Sequence, residues 1–169
     1  MGTLLLLGGP KAAGKSWLAD LAATQFGVLH VDADVLIMDL ISKGATPDPE
    51  DGWLAHVLAA VTEALDYHEV VSVEITGAWE SDYTLCHHVE SIGHEVRRIW
   101  ITAPLDETLR RLGTRTPPRV PISESEARSL YERGAARAAR EHWDAVVDTS
   151  GERPTSAVAQ VLRRLLDPN

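Results

Sequence analysis

The sequence predicts an α/β three-layer sandwich: a five-stranded parallel sheet with helices on both faces. Three observations carry that expectation. Strand-length apolar runs alternate with segments of helical period along the chain. The run "TLLLLG" passes straight into the glycine-bearing stretch "GPKAAGKS" and then into a helix. A pair of acids, Asp32 and Asp34, closes the second strand-like run, so two chemistry-bearing segments fall at the carboxyl ends of strands, where open parallel sheets bind ligands.

Taken in order, "TLLLLG" from residue 3 reads as a buried strand. "KSWLADLAATQ" reads as a helix with Trp17, Leu18, Leu21 and Ala22 on one face. A short strand ends at residue 31, and "VLIMDLIS" continues as a helix. "KGATPDPEDG" is loop by its Gly, Pro and Asp content, and "WLAHVLAAVTEAL" is a helix whose apolar side carries Leu54, Val57, Leu58, Val61 and Leu65. The strand "EVVSVEITG" follows, then a helix over about 80–93, the strand "EVRRIWITA" and the helix "PLDETLRRL", with Pro104 suited to its early turn. Three prolines break "GTRTPPRVPIS", which reads as a mobile flap over about 113–122. A long helix over about 123–141, the strand "DAVVDTS" and a helix with Val158, Val161, Leu162, Leu165 and Leu166 at helical spacing complete one expected domain over 1–169.

At 169 residues, 44% hydrophobic and 24% charged, the chain has the composition of an ordinary soluble globular domain. A formal charge of −9 works against a polyanionic partner, because neutralising phosphates needs a basic surface, so nucleic acid is not expected. The lone Cys86 excludes an internal disulfide and fits a reducing compartment as a small buried side chain. With a strand from residue 3 and no apolar run near the length of a membrane span, a cytoplasmic protein without membrane attachment is expected. The seven histidines, His87 and His88 among them, show no metal-ligand spacing.

Gly9-Pro10-Lys11-Ala12-Ala13-Gly14-Lys15-Ser16 fits G-x-x-x-x-G-K-[ST], the phosphate-cradling P-loop, in the strand-loop-helix setting that the chemistry needs. In such a loop backbone N–H groups face the phosphates, Lys15 reaches the terminal oxygens, and Ser16 offers a hydroxyl to Mg²⁺, with Trp17 next in line. The competing reading is a glycine-rich turn before a helix. Asp32 and Asp34 can divide two tasks, one holding a metal through water and the other accepting the proton of an attacking hydroxyl; alternatively Asp34 is only the N-cap of the next helix. Arg110, Arg111, Arg115 and Arg119 crowd ten residues of an acidic chain, where a guanidinium brought in by closure could stabilise a phosphoryl group in transit, or where the charges are simply solvated.

"GGPKAAGKS", "HVDAD", "LRRLGTRTPPR" and "YERGAARAAREHWDAVVDTS" together resemble the small-molecule P-loop kinases, among them shikimate kinases, gluconate kinases and chloramphenicol phosphotransferases. The resemblance implies a P-loop NTPase sandwich with an arginine-bearing lid, using ATP and Mg²⁺. It implies Asp34 as the base and Asp32 as the metal partner beside Ser16, and a lid arginine over the phosphoryl group, first Arg115, then Arg119 and Arg111. It also places adenine against "DTSGERP", with Arg153 stacking on the base; a plain loop turning at Gly151 explains that stretch equally. Shikimate kinases carry an "ER" where this chain has Glu132-Arg133, which implies an acceptor carboxylate on Arg133. Arg133, Arg137 and Arg140 share one helical face and could instead form a solvated stripe paired with Glu132 and Glu141.

Departures bear on the acceptor. "EITGAW" stands where shikimate kinases have three glycines, and "WLAHVLAAV" has no match for their helix arginine, which argues against shikimate. "GATPDPEDGWL" resembles a gluconate-kinase loop, but the "CSAL" segment of those enzymes is absent; "FGVLHVDADVLI" resembles the chloramphenicol phosphotransferases equally well. Glu74, Thr76, Gly77 and Trp79 end the third strand on the ligand side and are candidate acceptor contacts, against the reading of a strand-end cap. The expected activity is transfer of the ATP γ-phosphate to a hydroxyl of a small metabolite or antibiotic-like molecule by a monomer or homodimer. A nucleoside or nucleotide kinase, and a nucleotide-dependent regulatory ATPase, are the alternatives. The acidic surface argues against a polynucleotide kinase.

Overall fold

Four consecutive leucines set the architecture. In the computed structural model Leu4, Leu5, Leu6 and Leu7 are each 0% exposed, so the strand that holds them must be covered on both faces. Residues 1–45, 52–114, 120–151 and 155–166 are described below.

The strands are β1 (Thr3–Gly8), β2 (Leu29–Val31), β3 (Val70–Ile75), β4 (Glu95–Thr102) and β5 (Ala145–Asp148). The helices are α1 (Lys15–Phe26), α2 (Ala33–Ser42), α3 (Gly52–Tyr67), α4 (Glu80–Ser91), α5 (Leu105–Leu112), α6 (Glu124–Ala138) and α7 (Thr155–Leu166). The sheet is parallel throughout, in the order β2-β3-β1-β4-β5, and Gly8 is level with Ile75 on one side and Trp100 on the other.

Side chains alternate across the pleat, so β1 feeds two cores. Leu5 and Leu7 join Leu18, Ala22, Ile99, Ile101, Val158 and Leu162 beneath α1 and α7. Leu4 and Leu6 join Val57, Val61, Val71, Val73, Leu85 and Val89 beneath α3 and α4. Complete burial of each leucine contributes about 1.5–3 kcal/mol of transfer free energy, and no one-residue slip of β1 is penalised by exposing a polar side chain. Its register is held instead by its neighbours and by the Gly9 amide, which donates to the Ile75 carbonyl at 3.2 Å.

Every expected strand and helix is found, with two ends revised. The long helix stops at Ala138, three residues early: the Glu141 amide reaches back to Ala138, whose carbonyl also accepts from the Trp143 indole at 3.1 Å. Trp143 then packs against Trp100, ring centroids 5.0 Å apart. Arg140 accordingly lies in a turn beyond the helix and leaves the stripe expected with Arg133 and Arg137. The helix over 80–93 ends at Ser91, and its Ile92 and Gly93 amides close the last turn. No helix among the described residues is long and apolar enough to cross a membrane.

Candidate active site at the carboxyl edge of the sheet

The segment 9–14 joins β1 to α1 at the edge where β2, β3 and β5 also end. Gly9 is required by close approach: a Cβ there would lie 2.3 Å from the Ile101 carbonyl oxygen, deeper than any contact a backbone tolerates. Ala12 adopts φ 62, a left-handed conformation that costs a non-glycine residue of order 1 kcal/mol and is held by its surroundings. Gly14 caps α1, whose first turn has no acidic side chain to offset the positive end of the helix dipole. Lys15 is 6% exposed, and its Nζ donates to the carbonyls of Gly9 and Pro10, both at 2.9 Å. These carbonyls hold the ammonium across the mouth of the loop. Pro10 and Ala13 complete the loop through the Ala13 amide, which donates to the Pro10 carbonyl at 3.2 Å. Ser16 occupies the first turn of α1, and Trp17 packs partly buried against the core shared with α7.

The acid pair divides by geometry. Asp32, not Asp34, is the N-cap of α2: its Oδ1 accepts from the Val35 amide at 3.1 Å. Asp34 lies in the first turn, and its Oδ1 accepts from Lys11 Nζ at 3.1 Å, with the two side chains 16% and 17% exposed. A lysine of the phosphate loop therefore reaches directly to the carboxylate expected to act as base.

Arg111 has a different setting from a solvated flap. Its side chain is 13% exposed and donates to Thr149 Oγ1 at 3.1 Å, to the Thr149 carbonyl at 2.6 Å and to Glu107 Oε1 at 2.5 Å. Thr149 Oγ1 in turn donates to the Ala13 carbonyl, so Arg111 is one side chain removed from the phosphate loop. Arg115, Arg119 and Arg153 lie outside the described residues.

At the end of β3, Thr76 Oγ1 donates to Asp82 Oδ2 at 3.0 Å and the Trp79 amide donates to the same oxygen at 3.2 Å. Gly77 forms the turn, its carbonyl accepting from the Tyr83 hydroxyl at 3.3 Å. Helix α6 crosses so closely that a Cβ on Gly134 would lie 2.9 Å from the Thr76 carbonyl oxygen. That approach seats Arg133 on the Trp79 ring, with Cζ 4.2 Å from its centroid. Arg137 pairs with Glu80 and lies 5.0 Å over Tyr83, so both arginines face α4 rather than Glu132 and Glu141. Glu74 faces His30 Nε2 at 3.7 Å.

These elements enclose one cleft of about 540 Å³. Lys11, Lys15, Asp32 and Asp34 line its P-loop end, while Glu74, Thr76, Trp79 and Arg133 line the remainder. Sequence reasoning missed Asp82, Trp53, Glu126 and Ser129, which also line it. Asp82 had a legible signal, an acid at the third position of a helix opening at residue 80. Burial pushes its carboxyl above the usual range, opposed by the hydrogen bonds from Trp79 and Thr76. Cys86 is 1% exposed and burial pushes its thiol up to about 11, as a packing residue requires.

No group of three or more metal-ligating side chains occurs among the described residues. Ser16 and Asp32 are the residues that could offer Mg²⁺ one hydroxyl and one carboxylate, hard oxygen donors of the type that ion takes.

Three solved structures share the whole architecture. A tunicamycin resistance protein of Deinococcus radiodurans superposes with TM-score 0.67 at 18% identity, covering 99% of this chain and 96% of its own. A shikimate kinase of Acinetobacter baumannii, in complex with shikimate, gives 0.65 at 18%, covering 100% and 96%. A gluconokinase of Sinorhizobium meliloti 1021 gives 0.61 at 19%, covering 99% and 92%. No protein-family model matches the chain, and no curated protein matches it by sequence. The fold is that of the small-molecule P-loop kinases.

Proposed function

We propose that the protein is a phosphotransferase that moves the γ-phosphate of ATP to a hydroxyl of a small molecule. The observation that supports this best is the convergence of Lys15 and Asp34 on one cleft, with Lys11 of the phosphate loop reaching Asp34 at 3.1 Å.

In this reading the loop amides and Lys15 hold the β and γ phosphates, Lys15 exchanging its carbonyl partners for phosphate oxygens. Ser16 and Asp32 would hold Mg²⁺, which would neutralise charge on the phosphates. Asp34 accepts the proton of the acceptor hydroxyl as its oxygen bonds to the γ-phosphorus, while the bond from that phosphorus to the departing ADP oxygen breaks. The lid expected over about 113–122 would bring Arg115, or Arg119, above the transferring group; both arginines lie outside the described residues. Arg111 acts differently, positioning the loop through Thr149. Arg153, the residue expected to stack on adenine, lies outside the described residues, and Glu74, Thr76, Gly77, Trp79 and Arg133 shape the acceptor end.

Acceptor-dependent ADP release tests the reading. Asp34→Asn is expected to lower kcat by about 10²–10⁴-fold with ATP affinity nearly kept, and Lys15→Ala to weaken ATP binding itself. Slow hydrolysis unaffected by any alcohol and by Asp34→Asn would instead favour a regulatory ATPase.

A further inference from the structure

We infer that the acceptor is an alcohol without negative charge whose bulk is an apolar ring body, and not a sugar, a sugar acid or another carboxylated polyol. This rests on the phosphotransferase reading and names its substrate class. The cleft is chemically lopsided. Its polar groups come from the strand ends, the start of α2 and positions on α4 and α6, whereas Trp53, Leu54 and Val57 of α3, with Leu85 of α4, Leu130 of α6 and Ile122 just before α6, give it an apolar stretch.

A polyol seated against Leu54, Val57, Leu85, Leu130 and Ile122 would turn hydroxyls toward side chains that offer no hydrogen bond, and each buried hydroxyl left unpaired is penalised by its full desolvation. Of the two lining tryptophans, Trp79 already carries Arg133 at 4.2 Å, and Trp53 lies within the apolar stretch. Charge points the same way. Beyond the phosphate loop Arg133 is the one cation among the described lining residues, while Glu74, Asp82 and Glu126 are all carboxylates. An anionic acceptor would meet the carboxylates of Glu74 and Glu126, with a single guanidinium, stacked on Trp79, to offset them. The cleft of about 540 Å³, which the acceptor shares with the phosphate end, lies in the size range of sites that enclose drug-like ligands.

The test is calorimetric titration of the full chain, saturated with a non-hydrolysable ATP analogue and Mg²⁺. The probes are 2-(2-naphthyl)ethanol, its anionic counterpart 2-naphthylacetate, and gluconate. The neutral alcohol is expected to bind at least about tenfold more tightly than either anion. Leu54→Asn is expected to weaken that alcohol about tenfold without changing the affinity for the ATP analogue, which also shows that the variant is folded. Trp53→Phe provides a second wall variant with a smaller loss in the same direction. Equal or tighter binding of gluconate or naphthylacetate, or no binding of the naphthyl alcohol, overturns the acceptor class. Failure of the wild-type chain to bind the ATP analogue in the first titration is a separate result, and it overturns the phosphotransferase reading itself.

Discussion

The two ends of the cleft are built by opposite means. The end proposed to take phosphates is made of backbone: eight consecutive residues whose conformation is dictated by Gly9 pressed on Ile101, a left-handed Ala12 and a lysine held by its own loop's carbonyls. The other end, where the proposed acceptor would sit, is made of side chains from the end of β3 and from α3, α4 and α6, brought together by packing, with Gly134 allowing α6 to touch the end of β3. Backbone recognition serves an invariant group such as a phosphate. Side-chain recognition can vary without disturbing the loop, so perturbations at one end should leave the other largely intact.

The largest separation is expected from Asp34→Asn, which should cost about 10²–10⁴-fold in kcat while stability, read by thermal melting, changes little. Next is Gly9→Ala, where the added methyl must displace the Ile101 backbone; a loss of roughly 3 kcal/mol in denaturant unfolding is expected, together with loss of ATP binding. Gly134→Ala should have the converse signature: about 1–3 kcal/mol of stability lost as α6 is pushed from Thr76, with the KM for the acceptor raised and ATP affinity retained. Equal damage to both affinities would show that the two ends are not independent.

Arg111→Ala should then cost about 1–3 kcal/mol, because Thr149 and Glu107 lose a partly buried partner. ATP affinity should fall more than acceptor affinity, since Thr149 supports Ala13. Arg111→Lys, which can replace one bond but not the fork, should recover only part of the loss. The smallest effect concerns Cys86. With its thiol pushed up to about 11, the thiolate fraction at pH 8 is about 10⁻³, and alkylation by iodoacetamide should be negligible in the native protein and fast once it is unfolded.

The two ends also differ in how far they could be read in advance. The P-loop lies within eight contiguous residues whose types are individually constrained, and the acids at the end of β2 are close in sequence to the strand that orients them. Asp34 was assigned to the site from that position, yet the N-cap alternative fell on the wrong acid, because only the chain's path shows that α2 begins at Ala33 with Asp32 before it. Arg133 was noted for its helical face, but its partner Trp79 is 54 positions away and on another helix's threshold. The local signal of Asp82 is that of a helix cap, and neither it nor Trp53 is joined to a cleft by its sequence neighbours. Arg111 looked like one of four arginines beside a flap; its fixation by Thr149, 38 residues further on, is a tertiary fact.

By itself the sequence determined the elements, the parallel sheet and the phosphate loop, because hydrophobic period and glycine geometry act over distances of a few residues. The tertiary structure alone decided which side chains share the acceptor cleft, which acid caps α2 and which arginine is locked. Those outcomes depend on contacts between segments far apart along the chain, and no local preference encodes them.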